Sequence, residues 1–157
     1  MQLSTKGRYS IMAMLELAQM QETPEGLRPV SLSEISKRQD ISLSYLEQLF
    51  AKLRKAGLVV SSRGPGGGYR LAKEIYDIKL NDITAAVEEP ILVTRCGGHG
   101  NCVHGEKCNS HDLWMSLANH IETFMQDITL AMVLTRNLPA YDATKHTCDT
   151  LSNSAGK

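Results

Sequence analysis

Residues 31–57 read S-L-S-E-I-S-K-R-Q-D-I-S-L-S-Y-L-E-Q-L-F-A-K-L-R-K-A-G. Ser31 and Glu34 have the spacing of a capping box, in which each side chain satisfies a backbone N–H of the other, and they open a short helix over Leu32–Arg38. A tight turn, Q-D-I-S, leads into a second helix over Ser42–Ala56. Leu46, Leu49, Phe50 and Leu53 line one face of it, and Gly57 stands where a C-cap glycine belongs. Two short helices joined by a turn of a few residues, the second longer and basic at its end, describe a helix-turn-helix. An ordinary helical hairpin within a bundle is the alternative.

The residues that follow favour the first reading. L-V-V-S-S is strand-like, R-G-P-G-G-G cannot be helical, and Y-R-L-A is strand-like again. Proline and four glycines make a hairpin tip without bulky side chains, able to enter a DNA groove or lie along the backbone. A glycine-rich loop could also cradle a nucleotide phosphate, but no G-K-[ST] follows and no helix opens after it. A helix-turn-helix followed by a hairpin is a winged helix, whose usual ligand is double-stranded DNA. In that geometry the start of the second helix faces base edges. Ser42, Ser44, Tyr45 and Gln48 can bond to phosphates or bases, and Gln suits adenine. Glu47 is repelled by phosphates but can accept a hydrogen bond from the cytosine amine; its other role is charge pairing within the helix. Lys6, Arg8, Lys52, Arg54, Lys55, Arg63 and Arg70 are phosphate candidates, with Arg63 placed to enter the minor groove from the wing.

Upstream, S-I-M-A-M-L-E-L-A-Q-M carries Ile11, Met14, Leu15 and Ala18 at helical period, and the loop E-T-P-E-G-L-R-P ends it. Lys6 and Arg8 before an apolar run resemble a signal peptide, but Glu16 interrupts the run and no small-residue cleavage site follows. With no stretch approaching a membrane span, a cytoplasmic protein is expected, with no membrane partner. The chain of 157 residues, 42% apolar, suffices for one core without disulfide staples. Its zero net charge is unevenly placed. Residues 1–73 hold 11 Lys/Arg against 6 Asp/Glu, and the remainder 6 against 11. A basic half joined to an acidic one suggests a polyanion-binding module with something appended.

In the second half, N-D-I-T-A-A-V-E-E is expected to form a short helix capped by Asn81 and ended by Pro90. A helix is expected again from Asp112 to Thr135, with Leu113, Leu117, Ile121, Phe124, Ile128 and Ala131 on one stripe, widened by Trp114, Met125 and Met132. With no helix of similar length expected to partner it, this stripe is expected to pair with its copy in a homodimer. The polar tail is expected to be disordered. The chain thus divides into a DNA-binding domain over 1–80, a short helix and cysteine loop over 81–111, a dimerisation helix over 112–137 and a tail over 138–157. The fold class is mainly α with a small β hairpin.

Between those helices lies R-C-G-G-H-G-N-C-V-H-G-E-K-C-N-S-H-D-L-W, residues 95–114. A reducing cytosol argues against structural disulfides. Glycines let three cysteines converge on one centre. Zinc sites usually pair cysteines two to four apart, iron–sulfur clusters tolerate wider spacing, and a redox pair is usually C-x-x-C, which is absent. Cluster, zinc and redox thiols all stay open from spacing alone. His111 can supply a fourth ligand, with His99 and His104 as alternatives; Cys148, across the long helix in the tail, is poorly placed. No Ser/His/Asp arrangement or paired carboxylates point to an enzyme.

Taken together, L-S-T-K-G-R-Y, I-S-L-S-Y-L-E-Q-L-F, L-R-K-A-G-L-V, R-G-P-G-G-G-Y and C-x5-C-x5-C-x2-H-x2-L-W resemble the IscR-like family of iron–sulfur cluster regulators, over about residues 1–137. The resemblance implies a homodimeric bacterial transcription factor, acting as repressor or activator on operator DNA in the cytoplasm, at the nucleoid. It implies a 2Fe–2S cluster on Cys96, Cys102, Cys108 and His111, supplied by the cluster-assembly machinery, and a holo dimer that represses cluster-assembly genes. Related regulators that sense nitric oxide or iron share the three-cysteine pattern; N-S-H-D-L-W favours the IscR-like member.

Overall fold

The computed structural model describes residues 5–87 and 96–139. Pro90, Cys148 and all but the first two residues of the tail expected to be disordered lie outside the described residues.

The capping box forms as the spacing requires. Ser31 Oγ accepts from the Glu34 N–H at 3.3 Å, and the Glu34 carboxylate accepts from the Ser31 N–H at 2.8 Å. It opens α2, Leu32–Gln39, which stops at Asp40 in the left-handed conformation with φ 52°. The turn then delivers the chain to α3, Leu43–Lys55, with Ser42 at its N-cap. α3 buries Leu46, Leu49, Phe50 and Leu53, the four residues the periodicity marks out. α1, Thr5–Gln21, packs on both helices with Ala13, Met14, Leu17 and Ala18 inward.

The wing follows as an antiparallel pair, β3 Val59–Ser62 and β4 Gly68–Leu71. Its outer strand is braced by Val30, which exchanges backbone hydrogen bonds with Tyr69 at 2.7 and 2.8 Å. That close approach explains Gly68: a Cβ there would sit 2.4 Å from the Val30 carbonyl oxygen. Tyr69 turns its ring edge onto Phe50, centroids 4.9 Å apart, and so ties the wing to α3. The expected mainly helical fold with a small hairpin is what the structure has. A second, shorter hairpin, β1 Glu22–Thr23 with β2 Gly26–Leu27, occupies the segment read as a plain loop.

The second half differs from expectation in three respects. The short helix α4, Leu80–Ala86, starts after Lys79 and not at Asn81; the Asp82 carboxylate accepts from the Lys79 N–H at 3.4 Å. The single helix expected over 112–135 is two, α5 His111–Asp127 and α6 Leu130–Leu134. Between them Ile128 is extended, its carbonyl accepting from the Leu80 N–H at 2.9 Å, while the Leu130 N–H donates to Ile78 at 2.9 Å. Ile128 and Ala131 are therefore buried in this chain's own core and not available to a partner, unlike Leu113, Trp114 and Phe124, which stay exposed. Nor is the long helix alone in its length, since α1 and α5 have 17 residues each. One apolar core joins α1 through α4 to Met125, Ile128 and Leu130. Among the described residues no helix is long and apolar enough to cross a membrane.

Candidate metal centre and nucleic-acid face

The loop from Cys96 to Ser110 is shaped by left-handed backbone. Gly97, Gly98, Gly100, His104 and Gly105 all have positive φ, between 49° and 87°. Two successive left-handed residues, His104 and Gly105, make a tight hairpin turn closed by mutual Val103–Glu106 hydrogen bonds at 2.9 and 3.2 Å. Cys96 and Cys102 are thereby brought back onto the first turn of α5. His111 is the first residue of that helix and is buried. Its Nδ1 lies 3.5 Å from Cys96 Sγ and 3.3 Å from Cys102 Sγ, and the two sulfurs are 3.5 Å apart.

These three donors lie within 4.8 Å of one another, and they are the group among the described residues suited to holding a metal ion. Cys108 stands beside Cys102, with its sulfur 3.5 Å from the Ser110 hydroxyl. That hydroxyl, followed by the Cys102 thiol, holds the Cys108 thiol below its ordinary value. A backbone N–H of Cys108 favours the Cys102 thiolate, but desolvation and the neighbouring Cys108 and Cys96 thiols outweigh it and push Cys102 upward. Crowded thiols that cannot all ionise together are what a cation relieves. Soft sulfur donors with one imidazole fit an iron–sulfur cluster or zinc, and do not fit magnesium or calcium. His99 and His104 are exposed and outside the group. Lys107 and Asp112 pair at 2.7 Å, fastening the loop to the helix it meets.

Earlier in the chain, the start of α3 presents Ser42, Ser44, Glu47 and Gln48 to solvent. Tyr45 is half-buried, edge-on to Tyr9 of α1 with centroids 6.0 Å apart. Lys6 and Arg8 are exposed in the first turn of α1, Lys55 at the end of α3 and Arg63 at the head of the wing. Lys52 is half-buried, and Arg54 is exposed and donates to Ser61 Oγ at 3.4 Å. Arg70 points partly inward, its Nε buried without a hydrogen-bond partner. Sequence reasoning gave three residues no role of their own. Leu43 is exposed on α3, one turn before Glu47. Tyr9 braces the reading helix, as its spacing before a tyrosine in α3 could not reveal. Glu16 is buried, and the signal was a charge interrupting an apolar run.

Comparison with known proteins agrees with this geometry. Residues 3–136 match the family model Rrf2, iron-dependent transcriptional regulator. The chain is 50% identical over 137 residues to the HTH-type transcriptional regulator IscR of Vibrio parahaemolyticus, covering 87% of this chain and 79% of that one. It is 51% identical over 130 residues to IscR of an Enterobacter species, covering 83% and 77%. Among solved structures, T. potens IscR superposes with a TM-score of 0.69 at 41% identity, covering 87% and 88%. CymR, the global cysteine regulator of B. subtilis, superposes with a TM-score of 0.71 at 34% identity, covering 87% and 98%.

Proposed function

Because the chain belongs to the Rrf2 family of iron-dependent transcriptional regulators, we propose that this DNA-binding regulator reads its operators under the control of a 2Fe–2S cluster held by Cys96, Cys102, Cys108 and His111. It is read as a transcription regulator and not an enzyme; its relatives are named HTH-type transcriptional regulators. The observation that carries the cofactor reading is the convergence of Cys96, Cys102 and the buried His111 within 4.8 Å, with Cys108 beside them.

When bound, such a cluster supplies a tie between the loop and α5 that depends on iron–sulfur supply. The residues around it define what that tie does. Three thiolates and a neutral imidazole carry less negative charge than four thiolates, and an imidazole can take a proton, so the site should release its contents comparatively readily. His111 begins α5, so fixing it fixes the loop against the helix that carries the exposed Leu113, Trp114 and Phe124. That apolar face supports a homodimer, in which two reading helices meet two half-sites. On DNA, Ser42, Ser44, Tyr45, Glu47 and Gln48 address base edges and phosphates from α3. Lys6, Arg8, Lys52, Arg54, Lys55 and Arg63 neutralise phosphates, Arg63 reaching toward the minor groove. Cluster-assembly genes are the proposed targets, mainly repressed, and the assembly machinery the proposed cluster donor.

Anaerobic purification followed by iron, sulfide and zinc analysis with a visible spectrum tests the cofactor. Two irons and two sulfides per chain with visible charge-transfer bands are expected. Stoichiometric zinc in a colourless protein would replace the cluster with a structural zinc site.

A further inference from the structure

Glu16 is 6% exposed in the middle of α1, among residues that are otherwise apolar. Its two carboxylate oxygens face different partners: Oε1 lies in ion-pair contact with Nε of Arg38 without accepting a hydrogen bond from it, and Oε2 accepts from Nε2 of Gln39. Arg38 and Gln39 are the last two residues of α2, immediately before the left-handed Asp40 that turns the chain toward α3. From within, Ser36 holds the same turn, its hydroxyl donating to the Ile41 carbonyl at 2.6 Å. Glu16 holds it from outside.

A buried carboxylate is a weak device for stability, because removing it from water offsets most of what its cation returns, and an apolar side chain of similar size serves a core as well. What an ion pair and a directional hydrogen bond on one carboxylate do supply is one defined geometry. Here that geometry is the angle at which α2 hands over to the reading helix. Over the same carboxylate runs a groove of about 280 Å³ between α1 and α6, lined by Met12, Leu15, Val133, Leu134 and Arg136. The segment that follows the cysteine loop and α5 thus ends against the residue that braces the turn. We infer that Glu16, through Arg38 and Gln39, is a positioning residue for operator discrimination: it aims α3 at base edges without itself touching DNA.

This rests on the DNA-reading function, and the test separates the two. Full-length protein is used to select high-affinity sites from a random duplex library. Failure of the unmodified protein to enrich any site overturns the functional reading and leaves Glu16 with nothing to position. With a site in hand, wild type, Glu16→Gln, Arg38→Gln and the double variant are titrated on that site and on a random duplex across a salt series, with thermal unfolding alongside. Each single variant should bind the selected site roughly tenfold more weakly, the size expected for losing one interaction with a charged group. Random-duplex affinity and salt slope should stay unchanged, and the double variant should be no weaker than the worse single one. Arg38 has a side chain 60% exposed, so its variant keeps the test decisive even if Glu16→Gln folds poorly. A fall in salt slope for Arg38→Gln would make it a phosphate contact in its own right. That result, multiplying losses, or wild-type site affinity in Arg38→Gln would overturn the proposal.

Discussion

Ser31 and Glu34 exchange hydrogen bonds at the head of α2, and Arg28 closes on the same carboxylate at 3.1 Å. The Ser31 backbone N–H, more than any other group, holds the Glu34 carboxyl below its ordinary value. A depressed folded-state value means the stabilisation is present at neutral pH and is lost as pH falls through that value. The carboxylate is 41% exposed, so water screens it and the effect stays within about 1 kcal/mol. Glu34→Gln should therefore lower the denaturant midpoint slightly at pH 7, and the gap to wild type should close in acid. A gap independent of pH would remove the ionised cap from the account. At the metal centre, Cys96→Ala, Cys102→Ala or Cys108→Ala should abolish the visible spectrum, because nothing nearby replaces a thiolate. His111→Ala should leave a weaker or altered one, whereas His99→Ala and His104→Ala should leave the spectrum unchanged. A wild-type spectrum from His111→Ala with loss from His104→Ala would move the fourth ligand. The cap and the cysteine spacing were legible because their partners lie within a few residues. Glu16 was not, because its partners Arg38 and Gln39 lie more than twenty residues away and only the fold brings them to α1.

The helices of the DNA-reading half could be read from period and caps, since each keeps its apolar residues on one face and ends at a turn residue. The break after Asp127 could not. Ile121, Phe124, Ile128 and Ala131 keep helical spacing straight through it, and no proline or glycine marks it. What decides it is tertiary. The extended backbone at Ile128 and Thr129 bridges to Lys79, with the Ile128 carbonyl and the Leu130 N–H bonded to Leu80 and Ile78. The side chains of Ile128 and Leu130 then enter the core of the first half. Thr129 re-caps the chain, its hydroxyl accepting from the Met132 N–H at 3.3 Å. This changes what substitutions there should do. Ile128→Ala leaves a cavity in a fully buried site and should cost about 2–5 kcal/mol of folding stability. Thr129→Ala should cost about 1 kcal/mol. Both effects belong to the single chain and should be seen as lower unfolding midpoints. Dissociation of the oligomer by Ile128→Ala, with an unchanged midpoint, would return this residue to an intermolecular interface.

At the scale of the whole molecule, the exposed α5 residues Leu113, Trp114 and Phe124 and the basic face of α3 and the wing make one joint prediction. Phe124 is 48% exposed in the chain, so Phe124→Glu should leave the fold intact yet place a charge where the proposed dimer is apolar. Sedimentation should then show monomers from the variant and dimers from the unmodified protein. Binding to DNA reports the same thing independently. Each phosphate neutralised contributes about one unit to the slope of log affinity against log salt. A dimer carries every contact twice, so Arg63→Ala or Lys55→Ala should lower the slope by about two units in the dimeric protein and by about one in the Phe124→Glu background. Glu47→Ala should behave differently, because a carboxylate gains nothing from phosphates. Its slope should stay near wild type while the set of bound sites changes. If the cluster acts through this residue, the difference in site preference between loaded and cluster-free protein should shrink as well. The salt series thus separates contacts that hold DNA from contacts that choose it. An equal slope change from Arg63→Ala in both backgrounds would mean that the two reading helices do not act on one operator, and the dimeric reading would fall even if sedimentation found dimers.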